Sequence, residues 1–250
     1  MAKRAATGRG APVTPLAAGI VARARRAGAV LVYGGSFDPP HAYHAAAPGH
    51  GAALVGRGVP CLYVPAARSP FKASGPVAGD EDRVAMLRAM LRGRRGAAVW
   101  TDEVDRAAWA RARGGAGPSY TVDTVRRLRG LLGDGVQVRL LIGVDQAAAF
   151  HRWRSARVLV RLAEPVVLPR EGVEDGGALE ALIRAGGGWA FWGERGVRAW
   201  GARVACAPLV DVSSTGIRAM LGAGGARRAG ALRLLPQGVA AVVRSRGLYR

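Results

Sequence analysis

The chain is poor in cysteine, lysine, acidic residues and aromatics. Cys61 and Cys206 are the only cysteines in 250 residues, which leaves no disulfide framework and no multi-cysteine zinc site. Both stand in short apolar runs, which predicts two buried thiols in a reducing compartment and a cytoplasmic protein. No apolar run reaches 18 residues without a charge, a glycine or a proline, so no membrane span is expected. Acidic residues number 17 against 37 Lys and Arg, for a net charge of +20. Lys3 and Lys72 are the only lysines. Aromatics make up 6% of the chain, and the arginines are scattered along it rather than interleaved with aromatics. That pattern fits GC-rich codon usage, and nucleic acid is not the expected partner. A strongly positive field still favours polyphosphate ligands.

What is present is a globular chain. Half its residues are hydrophobic and 22% are charged, which excludes wholesale disorder and permits a sizeable core. Residues 1–28 carry six basic side chains and no acidic one, and the first carboxylate is Asp38. They read as a basic, flexible or weakly helical N-terminal extension with no secretory signal, ahead of a single domain over 29–250. Apolar runs at Ala29–Tyr33, Cys61–Pro65, Ala97–Thr101, Val136–Gly143 and Pro165–Leu168 predict strands. Val204–Leu209 is a last candidate. Helical periodicity marks Asp80–Arg92, Ser119–Leu132 with Ser119 as N-cap, Ser155–Ala163, Ser213–Leu221 and Ala231–Arg246. Residues 171–203, with seven glycines between 172 and 193, read as a less regular insertion. Strands alternating with helices predict an α/β fold with a doubly wound parallel sheet, whose ligands bind beyond the carboxyl ends of the strands.

The first strand ends in the most unusual stretch of the chain, Gly34-Gly35-Ser36-Phe37-Asp38-Pro39-Pro40-His41-Ala42-Tyr43-His44. The two glycines permit a sharp turn, and His41 and His44 fall on one face of a starting helix. Free N–H groups and the positive dipole end make such a start an anion site. A second stretch, Ser213-Ser214-Thr215-Gly216-Ile217-Arg218, sets hydroxyls and a guanidinium at another helix start, donors suited to phosphate oxygens. Asp38 reads as a turn former rather than a base. His50 and His151 have no motif around them.

Together, GGSFDPPH-x-x-H and SST-x-IR resemble the signature pair of the HxGH-type nucleotidyltransferases. Pro118-Ser119-Tyr120-Thr121-Val122-Asp123-Thr124, Ile142-Gly143-Val144-Asp145-Gln146 with Phe150 and Trp153, Arg83-Val84-Ala85-Met86-Leu87 and the ending Gly247-Leu248-Tyr249-Arg250 are similar to the nicotinate-nucleotide adenylyltransferases within that family. The resemblance covers about residues 29–250. It implies a Rossmann-like sheet and transfer of AMP from Mg·ATP to nicotinate mononucleotide, with ATP as co-substrate and Mg²⁺ carried on it, in NAD biosynthesis. It further implies that Gly34, Gly35, Ser36 and Phe37 line the ATP site and that His41 and His44 act on the phosphates and the charge growing at the α-phosphorus. Ser214, Thr215 and Arg218 would hold the departing phosphates. Ser119, Tyr120 and Thr121 would meet the nicotinate end, Trp153 would stack on the pyridine ring, Asp145 would bind a ribose or another polar part of the nucleotides, and Lys72 would lie near the phosphates. No resident metal site is implied, and self-association is left open.

The chain departs from the family at Tyr43, where the motif has glycine, and a bulky ring there either turns outward or narrows the ATP site. Pro48, Gly49 and Gly51 are expected to interrupt the following helix and delay its start. Two alternatives therefore accompany the main reading. One is an adenylyltransferase for another acceptor such as nicotinamide mononucleotide, and the other is a nucleotide-binding protein without catalysis.

Overall fold

Alternate side chains along the first strand enter two different cores. The computed structural model describes residues 10–67, 75–115, 117–208 and 212–250. In it β1 (Ala29–Gly35) sends Val30 and Val32 to one face and Leu31 and Tyr33 to the other. With β2 (Cys61–Pro65), β3 (Ala97–Val99), β4 (Gln137–Gly143) and β5 (Glu164–Leu168) it forms a sheet of order β3-β2-β1-β4-β5. Every neighbouring pair is parallel. Apolar side chains on both faces require helices on both faces. The strand order reverses between β1 and β4, which places the ligand crevice at their carboxyl ends.

The helices are α1 (Ala18–Ala27), α2 (Ala42–Val55), α3 (Asp80–Met90), α4 (Asp102–Arg111), α5 (Thr121–Leu132), α6 (Val144–Ala148), α7 (Ala156–Leu162), α8 (Gly176–Ala185), α9 (Gly188–Gly201), α10 (Ser214–Gly222), α11 (Gly225–Arg233) and α12 (Gln237–Ser245). One face packs Ile20 and Ala24 of α1, Val122, Val125, Leu128 and Leu132 of α5, and Leu159 of α7. The opposite face packs Ala47 of α2, Met86, Leu87 and Met90 of α3, Ile217 of α10, and Val239 and Val243 of α12.

Several elements differ from the sequence expectation. Part of the expected loose extension is α1, whose Ile20 and Ala24 are buried. Residues ahead of it are clipped down as well: Arg127 donates to the carbonyls of Ala11 and Pro12, and Trp100 Nε1 donates to Thr14 O at 2.9 Å. The stretch 171–203 is mainly two packed helices. A Cβ on Gly176 would lie 2.6 Å from Gly201 O, so glycine is what lets α8 and α9 approach. Val204 makes an isolated bridge to Val167, and Leu209, the end of that expected strand, lies outside the described residues. Pro236, which lacks an N–H, splits the expected C-terminal helix into α11 and α12 and caps the second. The N-cap of α5 is Tyr120, one residue beyond Ser119. Cys61 is buried, and burial pushes its thiol well above the usual range, whereas Cys206 is exposed. No helix among the described residues is long and apolar enough to cross a membrane.

Candidate active site

The loop after β1 turns directly into α2, with His41 as its N-cap in an extended conformation. His44, one turn later, accepts the His41 backbone N–H on Nδ1 at 3.2 Å. The two rings lie 3.9 Å apart, and His44 also meets the Phe37 ring at 5.1 Å. His41 is 3% exposed, and burial lowers its pKa to about 4. Burial first, and then the neighbouring His41, hold His44 well below the ordinary histidine range. Both imidazoles are therefore neutral at pH 7 in the ligand-free protein.

The helix neither starts late nor breaks. Pro48 has no N–H for the carbonyl four residues back, that of His44. The buried Tyr63 hydroxyl takes the place of that donor, at 2.7 Å from His44 O. Gly51 is not a weak point but a contact: a Cβ there would lie 2.7 Å from Leu141 Cδ1, so glycine lets α2 lie against the sheet. The imidazole pair thus rides on a helix held at Pro48 and at Gly51, two of the three positions where the sequence suggested a break.

The second stretch is bonded straight onto the first. Ser213 caps α10, its Oγ accepting Gly216 N–H at 3.1 Å. Ser214 Oγ donates to Pro39 O at 3.0 Å, and Arg218 Nη1 donates to Asp38 O at 2.6 Å. Arg218 Nη2 lies 3.2 Å from Thr215 Oγ1. The Asp38 carboxylate is buried and fully engaged by Val77 N–H at 2.7 Å, Ala78 N–H at 3.1 Å and the Tyr249 hydroxyl at 2.7 Å. These three bonds make it an organiser of the loop. Arg83, completely buried, ties Ser36 O to Asp80 from beneath.

Two adjoining hollows open at this point. The first, about 310 Å³, is lined by Ser36, Phe37, His44, Ser214, Thr215 and Arg218 among others. The second, about 230 Å³, shares His44 and Ser214 with it and adds His41, Tyr43, Asp145 and Arg170. His44, Ser214, Thr215 and Arg218 therefore line one hollow, and His41 lines the adjoining one, which shares His44 and Ser214 with the first. Tyr43 is half-buried in the wall of the second hollow, and its hydroxyl is shut off from solvent without a hydrogen-bond partner. Burial raises its pKa, and the nearby Arg170 charge opposes that rise. Asp145 is ion-paired with Arg170.

Ser119, Tyr120, Thr121 and Trp153 gather elsewhere, around a smaller pocket of about 50 Å³ that also includes Arg154. Among the described residues it shares no lining residue with the two hollows. Trp153 stacks on Phe150 at 4.7 Å, so one of its faces packs against the core. Gly34 and Gly35 line neither hollow. Gly35 instead makes room for the Phe37 ring, which a Cβ would meet at 3.1 Å. Lys72 lies outside the described residues. The sequence reading passed over Arg170 and Arg154. Arg170 follows β5 directly, and the rule that ligands bind past the strand ends was the available signal for it.

A model of the Cytidylyltransferase-like family matches residues 32–220, from β1 into α10, and so spans both stretches of the site. A protein of Stenotrophomonas maltophilia described as "Probable nicotinate-nucleotide adenylyltransferase" is 36% identical over 230 residues, covering 88% of this chain and 96% of its own. The chain belongs to the nicotinate-nucleotide adenylyltransferase family. A Marinobacter nauticus protein of the same description is 34% identical, over 88% of this chain and 95% of its own. Solved adenylyltransferases share the fold. The Plasmodium falciparum nicotinic acid mononucleotide adenylyltransferase complexed with NaAD aligns with TM-score 0.60 at 12% identity, over 88% of this chain and 97% of that one. The same enzyme complexed with APC gives 0.58. Among the described residues, no three His, Cys, Asp or Glu side chains of this adenylyltransferase-family chain come together as a metal site.

Proposed function

We propose that the chain transfers AMP from Mg·ATP to nicotinate mononucleotide, releasing pyrophosphate and nicotinate adenine dinucleotide, as a cytoplasmic step of NAD biosynthesis. The observation that carries this reading is the shared space in which His44, Ser214, Thr215 and Arg218 meet. In it a mononucleotide phosphate oxygen attacks the ATP α-phosphorus in line, the bond to the bridging oxygen breaks, and pyrophosphate leaves with Mg²⁺. The acceptor phosphate is already ionised at neutral pH, so no strong base is needed. Positioning and charge stabilisation make up the enzyme's contribution.

His41 and His44 enter as neutral N–H donors. As negative charge gathers beside them their pKa values rise, so they take up proton character when it stabilises the transition state. Thr215 and Arg218 hold the outgoing phosphates. Ser36 and Phe37 line the phosphate side, with Gly34 and Gly35 shaping their approach, and Asp145 holds a sugar hydroxyl once it shares its Arg170 partner. The pocket of Ser119, Tyr120, Thr121 and Trp153 receives the pyridine end of the acceptor, and Lys72 joins the phosphates. Magnesium belongs to the substrate, held on the triphosphate.

The test is pyrophosphate release from Mg·ATP and nicotinate mononucleotide. Losing one donor to the developing charge costs about 2.7–4 kcal/mol, or 100- to 1,000-fold in rate. His44→Ala is expected to lose that much, and equal rates for the variant and the natural chain would refute the reading. The non-catalytic alternative has one observation in its favour, the Tyr43 ring in the wall of the second hollow. It predicts no pyrophosphate release from the natural chain and release from Tyr43→Gly.

A further inference from the structure

We infer that Arg154 selects the acceptor: its guanidinium, resting on the Tyr120 ring at an aromatic pocket, takes a ligand carboxylate and so favours nicotinate over nicotinamide mononucleotide. The inference rests on the proposed reading of that pocket as the acceptor site and adds a specificity-determining side chain to it. Tyr120 and Trp153 supply aromatic surface, Ser119 and Thr121 supply hydroxyls, and among the described residues Arg154 is the only charged one lining the pocket. A flat ring bearing a carboxylate is the ligand such a lining suits.

The state of Arg154 in the ligand-free protein supports this. Its guanidinium carbon lies 4.5 Å from the Tyr120 ring centroid, and the side chain is exposed. Most arginines around the other pockets are already committed: Arg170 to Asp145, Arg111 to Asp80, Arg246 to Asp82. No carboxylate of the described residues pairs with Arg154. An exposed cation–π contact is weak beside a two-pronged guanidinium–carboxylate pair, so an arriving carboxylate displaces it. Nicotinate offers two acceptor oxygens that match the guanidinium fork. The carboxamide of nicotinamide offers one acceptor and an NH₂ that can only donate, and this group carries no charge. One parked arginine thus distinguishes two acceptors of nearly equal shape.

The test uses the full chain with a non-hydrolysable ATP analogue present. Calorimetry measures binding of nicotinate mononucleotide and nicotinamide mononucleotide to the natural chain, Arg154→Met and Arg154→Lys. The natural chain is expected to bind the nicotinate form more tightly. Arg154→Met is expected to weaken that binding about fivefold to tenfold, leaving the nicotinamide form within about twofold, and Arg154→Lys to recover part of the loss. Parallel weakening of both acceptors would overturn the inference, because Arg154 would then only support the Tyr120 wall. An unchanged preference in Arg154→Met would overturn it too. Pyrophosphate release by the natural chain is measured beside it. Release with an unaltered preference in the variant defeats this inference alone, whereas failure to bind either mononucleotide defeats the pocket assignment and the inference with it.

Discussion

Tyr63→Phe probes how the imidazole pair is held. Pro48 removes the donor that would normally meet His44 O, and the Tyr63 hydroxyl replaces it at 2.7 Å. Tyr63 is 1% exposed, and its bond to His44 O is part-buried. Losing the hydroxyl leaves that acceptor without its protein partner, which costs about 1–3 kcal/mol. For a chain of this size each kcal/mol shifts Tm by roughly 2–4 °C, so thermal denaturation is expected to show a drop of about 2–12 °C. Pro48→Ala restores an N–H to the helix, so in that background Tyr63→Phe is expected to cost much less. The double-mutant cycle isolates the coupling. Pyrophosphate release should also fall in Tyr63→Phe and recover in the double variant, because the His44 backbone regains its anchor. A cost that is equal in both backgrounds would refute this account of the helix.

Three further outcomes follow from the geometry. Tyr43→Phe removes a shielded hydroxyl that has no partner, and is expected to stabilise the ligand-free protein by about 1 kcal/mol in urea denaturation; a loss of stability would contradict the unpaired state. His41 has a folded pKa of about 4 against about 6.5 unfolded, so the unfolded chain binds more protons between these values. Its contribution is present above about pH 6.5 and is lost as pH falls toward 4, which stability measurements across that window can check. Gly51→Val presses on Leu141 at the base of α2 and is expected to cost about 1–3 kcal/mol by overpacking, read as a lowered Tm.

The strands were legible because a sheet covered on both faces is written as short continuous apolar runs, as in Cys61–Pro65. The stripe of α5 was equally plain: Val122, Val125, Leu128 and Leu132 are all buried. Helix α4 escaped because its buried face carries charge. Asp102 is clamped by Arg106 and Arg127, and Glu103 is bonded to Thr124, so no apolar period marks them. Glycine misled in two places, since Gly51 and Gly176 looked like breaks and are close contacts, a distinction set by partners remote in sequence. The phosphate stretches were readable from donor types at two helix starts. Their union was not, because it depends on Ser214 and Arg218 bonding back to Pro39 and Asp38 across about 175 residues of chain. Arg154 and Arg170 were hidden among 35 arginines, and only a pocket wall sets them apart.

The most direct measurement is a crystal structure of the complex with a non-hydrolysable ATP analogue. The account predicts phosphate oxygens of one analogue molecule within hydrogen-bond distance of His44 and also of Ser214, Thr215 or Arg218, with the nucleoside lying past Tyr43 in the adjoining hollow. A triphosphate touching only one of the two stretches, or a nucleoside kept out by the Tyr43 ring, would contradict it.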